Sequence, residues 1–125
     1  MAVETNEALD RAVAIHAKWK YRLMDAIESG KSEWRVADVR VDDSCEFGKW
    51  LGALPLSDRL SPHAQKVKAL HTDFHRTAAD VLEMALAGRR AEATAAMALG
   101  SRFAEVSSNL TMAVAAWKEA ASSGS

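Results

Sequence analysis

Apolar residues recur at steps of three and four along three long stretches of the chain, a spacing that gathers side chains on one helical face. In the first, from about Thr5 to Ser29, that face holds Ala12, His16, Trp19, Leu23 and Ile27. Thr5 or Asn6 can cap its start, and Gly30 follows its end. The next long stretch begins at Ser61-Pro62, which reads as an N-cap followed by proline at the first helical position. Its stripe is Val67, Leu70, His71, Phe74, Ala78, Val81, Leu82 and Ala85, and Gly88 ends it. The last stretch, roughly Arg90 to Ala121, carries Leu99, Phe103, Val106, Leu110, Ala113 and Trp117 in a heptad-like seam. Gly100 lies inside it and weakens a helix by about 1 kcal/mol relative to alanine, so a packing reason is expected for it.

Two segments between these stretches lack that length. GKSEWRVADVRVDD shows no sustained helical period and reads as a connection, with a short extended piece at Val36 to Val41. SCEFGKWLGAL reads as a short helix capped by Ser44 or Asp43, with Cys45 in its first turn and Gly52 and Pro55 closing it. Three long helices and one short one predict an all-α fold, a four-helix bundle whose short helix carries the cysteine motif. A length of 125 residues fits one domain over residues 1–125.

Composition narrows the function classes. Apolar residues make up 49% and charged residues 26%, ordinary for a globular domain. The formal net charge is -1 with no basic block, so nothing favours nucleic acid or an anionic membrane. No apolar run approaches the roughly 20 residues of a spanning helix, and membrane insertion is not expected. The single cysteine cannot form an internal disulfide, and charges interrupt the N-terminal apolar positions, so a cytoplasmic setting is expected.

That cysteine has candidate company. His71 and His75 are spaced i, i+4, which sends both imidazoles from one helical face about 6 Å apart along the axis. His16 lies in the middle of the first apolar stripe, and Cys45 sits at a helix start, where backbone N–H groups favour thiolate. Three imidazoles and one thiolate make a tetrahedral set that suits zinc. Such donors argue against calcium and magnesium, while copper(I) and iron(II) stay open on ligands alone. Each residue also has a plainer reading: His16 as a hydrogen-bonded core residue, Cys45 as a buried inert thiol, His71 and His75 as a solvated pair. Burying several imidazoles at one level favours a shared metal, because each unsatisfied polar group there costs about 1–3 kcal/mol. His63, after Pro62, is expected to be exposed and is left out. Trp19, Trp50 and Phe74 are expected to pack around the site, and Met24, Met84, Met97 and Met112 to fill the core. Asp42, Asp43 and Asp73 lie near candidate ligands in sequence and could orient an imidazole, although a cap or a solvated acid is the simpler role.

The motifs HAKWK (His16 to Lys20), CEFGKW (Cys45 to Trp50) and HTDFH (His71 to His75) resemble, in order and separation, the chemoreceptor zinc-binding (CZB) domain family. FAEVSSNL (Phe103 to Leu110) resembles that family's final helix, so the resemblance runs from about residue 10 to 118. It implies a four-helix bundle that forms a homodimer, with Zn2+ bound by His16, Cys45, His71 and His75. It also implies a cytoplasmic regulatory module attached to bacterial chemoreceptors or to diguanylate cyclases. Four protein ligands would leave no open position for an activated water, so the module is not expected to be an enzyme. Such modules sense zinc, or an oxidant such as hypochlorous acid acting on the zinc-bound cysteine, which makes Cys45 the redox-sensing residue. The 125 residues hold no methyl-accepting coiled coil and no cyclase sequence, so the output is expected from a chemoreceptor signalling domain or a diguanylate cyclase in cis or in trans. The alternative function is a structural zinc site in a helical protein-interaction domain.

Overall fold

The structure, a computed structural model, describes residues 2–41 and 45–123. Among these the fold is all-α, with helices α1 (Ala2–Ser29), α2 (Val36–Arg40), α3 (Glu46–Gly52), α4 (Leu56–Arg59), α5 (Pro62–Leu86), α6 (Arg90–Ala96) and α7 (Arg102–Ser123). The three long helices α1, α5 and α7 pack on one another in all three pairs. Around them α2 lies on α5, α3 touches both α1 and α5, and α6 also leans on both. None of the described helices is long and apolar enough to cross a membrane.

The periodic stripes become the core. Ala12, Trp19 and Leu23 of α1, Val67, Phe74, Ala78, Val81, Leu82 and Ala85 of α5, and Phe103, Val106, Leu110, Ala113 and Trp117 of α7 are all buried. α5 starts as its sequence predicts: Ser61 Oγ accepts a hydrogen bond from the Ala64 N–H at 3.3 Å, and Pro62 takes the first helical position. α1 runs past its expected start to Ala2, which leaves Thr5 and Asn6 inside the helix rather than at its cap.

Two readings of the backbone need correction. Residues Val36 to Arg40 are helical, not extended: a helix puts Val36 and Val39, three apart, on one face against the core, where Val39 is 3% exposed. The expected long last helix is broken between Ala96 and Arg102. Gly100 sits there at φ +84, and a Cβ built on it meets nothing within 4 Å, so the reason for glycine is backbone conformation and not packing. Ser101 restarts the helix by accepting the Ala104 N–H on its Oγ at 3.2 Å. Leu99, expected on the seam, is fully exposed as a result. Met24 and Met112 are also exposed, whereas Met84 and Met97 pack against the core as expected.

Candidate metal centre

Three helices deliver four donors to one point. α1 brings His16 on the same stripe as Ala12 and Trp19, and α5 brings His71 and His75 one turn apart. Cys45 is itself the N-cap of α3, its Sγ accepting the Gly48 N–H at 3.4 Å. A sulfur there answers an amide dipole that a carboxylate or hydroxyl usually meets. The expected caps Ser44 and Asp43, together with Asp42, lie outside the described residues.

The rings face each other through Nε2. His71 Nε2 lies 3.0 Å from His16 Nε2, 3.1 Å from His75 Nε2 and 3.3 Å from Cys45 Sγ. All four donors lie within 4.8 Å of one another. The other ring nitrogens fix the chemistry of this meeting. His16 Nδ1 is 2.7 Å from the Ala12 carbonyl, and His75 Nδ1 is 2.9 Å from the Val39 carbonyl. A carbonyl only accepts, so each of these Nδ1 atoms carries a proton and, in a neutral ring, each Nε2 presents a bare lone pair. Two lone pairs and a sulfur thus point at His71 Nε2, and one ring nitrogen, with a single proton or a single lone pair, cannot satisfy three neighbours.

Protonation does not resolve the crowding. Burial, followed by the charge of His75, lowers the His16 pKa to about 4. Burial, and then the neighbouring His16 and His75 rings, lowers that of His71 to about 2. Both imidazoles are therefore neutral near pH 7, the form that binds a metal. A small cation at the centre satisfies every donor at once. Around a tetrahedral zinc, with bonds of about 2.0–2.3 Å, donors would stand roughly 3.3–3.7 Å apart, a range that falls between the 3.0 Å of the His16–His71 pair and the 4.8 Å span of the whole set. The donor set fits zinc.

An apolar shell encloses the donors. Phe47 of α3 meets His71 and His16 edge-on at 5.1 and 5.9 Å between centroids, and Phe74 of α5 meets His16 at 5.0 Å. Phe74 was expected here; Phe47 was not, although its place two residues after the cysteine in CEFGKW was a usable signal. Trp50 stacks on Phe47 at 5.6 Å and meets Trp117 of α7 at 5.6 Å, one ring removed from the donors. Trp19 instead pairs with Trp34 at 5.1 Å. Asp73 pairs with Arg102, 3.4 Å away, and the carbonyls of Ala12 and Val39 take the orienting role considered for an acid. His63 is exposed, as expected.

Comparison with known proteins agrees with this arrangement. No curated protein and no solved structure gives a significant match. The family described as "Chemoreceptor zinc-binding domain" matches residues 16–82, more than half of the chain. The matched stretch opens on His16, holds all four donors and ends within α5, short of the 10–118 span of the motif resemblance. With a three-imidazole, one-sulfur cluster inside that stretch, this chain belongs to the chemoreceptor zinc-binding domain family, and its cofactor is zinc.

Proposed function

We propose that residues 1–125 form a cytoplasmic zinc-dependent sensory module, in which His16, Cys45, His71 and His75 hold the ion and Cys45 is the point of regulation. The observation that carries this reading is the meeting of two Nδ1-protonated imidazoles and a sulfur on His71 Nε2. Bound zinc supplies a Lewis-acid centre that keeps Cys45 as thiolate, and four protein donors leave no position for a reactive water. That supports a regulatory rather than a catalytic role.

The oxidant reading follows from Cys45 itself. It is only partly buried, caps a seven-residue helix and is the one sulfur among the donors. Hypochlorous acid converts such a thiolate to sulfenic acid, which removes a strong metal donor and an N-cap together. α3 is then held mainly by Phe47 and Leu51, its buried residues. Its motion reaches α7 through the Phe47, Trp50 and Trp117 rings. α7 and α1 are the long surfaces from which a chemoreceptor signalling domain or a diguanylate cyclase, in cis or in trans, would receive the change.

The homodimer belongs to the same proposal. Phe103, Val106, Leu110, Ala113 and Trp117 of the α7 seam are buried within the chain, which supports a contact between copies on another face. Another face remains: a groove of about 750 Å³ between α1 and α7, bordered by the exposed Val13, Tyr21, Leu99 and Met112 and reaching His16. A second copy seated there would lie directly against one donor.

The test is zinc content of the purified chain and of its His16→Ala, Cys45→Ser, His71→Ala and His75→Ala variants, followed by mild hypochlorous acid treatment. About one zinc per chain, weakened by every replacement, is the expected result. Zinc release and a reversible change in tryptophan fluorescence that disappear in Cys45→Ser separate a sensor from an inert structural zinc. Zinc retained unchanged under oxidant rejects the sensory reading.

A further inference from the structure

The His75 imidazole takes its orientation from an element outside the matched motifs' own helices. Its Nδ1 donates to the carbonyl of Val39, 36 residues away, on the five-residue α2. Such a helix is far too short to persist alone, and no side chain caps its start. Tertiary contacts must hold it. One is the valine face, with Val39 buried and Val36 packed against the core. The other is Arg40, whose amide nitrogen is bonded to the very carbonyl carbon that serves His75. Its guanidinium reaches α5 twice, at 2.8 Å to Asp80 Oδ1 and 3.3 Å to Glu83 Oε2. Asp80 and Glu83 are three apart on α5, as a forked donor needs to be held on one helical face.

We propose that Arg40 is a positioning residue for the metal centre. By clamping α2 to Asp80 and Glu83 it holds the Val39 carbonyl against His75 Nδ1, and so fixes the tautomer that leaves His75 Nε2 bare for zinc. The inference rests on the four-donor zinc reading given above. Orienting partners of metal-bound imidazoles are commonly carboxylates or backbone carbonyls. Here the carbonyl lies on a five-residue helix packed on α5, and the clamp adds a polar anchor to its apolar packing. Without it α2 can lift or rotate, and a carbonyl displaced by about 1 Å loses a hydrogen bond. His75 is then free to exchange tautomers, and its Nε2–H form cannot ligate.

The ion pairs are partly exposed, at 40% for the Arg40 side chain and 58% and 68% for its partners, so each is screened and individually weak. The effect on zinc is correspondingly graded. Arg40→Ala is expected to weaken zinc affinity by roughly three- to tenfold, with Arg40→Lys retaining part of the loss-free behaviour. The paired replacement Asp80→Asn with Glu83→Gln, on the outer face of α5, is expected to reproduce the Arg40→Ala effect without altering α2's own sequence. High salt is expected to weaken zinc binding in the wild type more than in Arg40→Ala.

Two readouts on the full chain decide the matter. Zinc affinity is measured by competition with a chromophoric chelator, and the His75 tautomer by ring nitrogen shifts in the zinc-free protein. Reduced affinity together with a shift of His75 from the pure Nδ1–H form to a mixture, in both Arg40→Ala and the paired α5 variant, supports the clamp. Affinity within twofold of wild type and an unchanged tautomer overturn it. Affinity lost only in proportion to zinc-free thermal stability, with the tautomer intact, also overturns it by making Arg40 merely structural. Should the wild type bind no zinc, the four-donor reading falls, while the tautomer readout still decides whether Arg40 orients His75.

Discussion

Replacing His16 by leucine is expected to change stability in opposite directions with and without zinc. His16 is 7% exposed, stands on the apolar stripe of α1 and is neutral, with burial lowering its pKa to about 4. Its Nε2 faces His71 Nε2 at 3.0 Å inside a shell that includes Phe47 and Phe74. Without metal, that arrangement carries a polar-group penalty of about 1–3 kcal/mol. Leucine is of similar size and a good helix former, and it removes the penalty. The Ala12 carbonyl loses only the imidazole bond, since its helical bond from the backbone N–H four residues on remains. His16→Leu should therefore stabilise the zinc-free protein by about 1–3 kcal/mol, raising Tm by roughly 4–10 °C. With free zinc a thousandfold above Kd, the wild type gains about 4 kcal/mol, whereas three donors bind more weakly and gain less. The order of the two melting temperatures should then invert. Thermal unfolding followed by circular dichroism at 222 nm, in chelator and in excess zinc, reads both arms. A variant that melts below wild type in chelator would refute the reasoning, because His16 would then be an ordinary stabilising core residue and not a donor kept at a cost.

Three further outcomes are expected. In chelator, stability should fall as pH drops from about 6.5 towards 4, because the unfolded chain takes up protons at His16 and His71 before the folded one does; each contributes up to about 1.4 kcal/mol per pH unit, and a flat melting profile across that window contradicts the burial argument. Gly100→Ala should destabilise by about 1–2 kcal/mol through its positive φ alone, measured by urea unfolding, and an unchanged midpoint would show that the break between α6 and α7 tolerates a side chain. Leu99→Ser, at a fully exposed position, should leave unfolding of the monomer within about 0.5 kcal/mol while weakening self-association in sedimentation experiments; undiminished association places the contact between copies elsewhere.

Local chemistry wrote much of this fold into the chain. The stripes of α1, α5 and α7 were legible because three- and four-residue spacing has one helical meaning, and Ser61-Pro62 marked the start of α5 because capping acts within one turn. The separation of His71 and His75 likewise follows from helix geometry, and the CEFGKW motif marked Cys45 as a candidate donor. The break at Gly100 was half-legible. Gly100 signals a weak point in a helix, but the seam periodicity of Leu99 and Phe103 runs across it and masks Ser101 as the cap of a new helix.

What the sequence by itself determined, then, is the set of helical faces, on which it also marked candidate donors. Those depend on neighbours within a turn. Only the tertiary structure decided that VADVR folds as helix α2, since its valines gain burial against α5 that a solvated strand would lack. It alone placed the Val39 carbonyl on His75, Phe47 against His71, and two Nδ1-protonated rings nose to nose at one nitrogen. Those contacts join residues tens of positions apart. Their geometry is set by how whole helices pack, which no local propensity encodes.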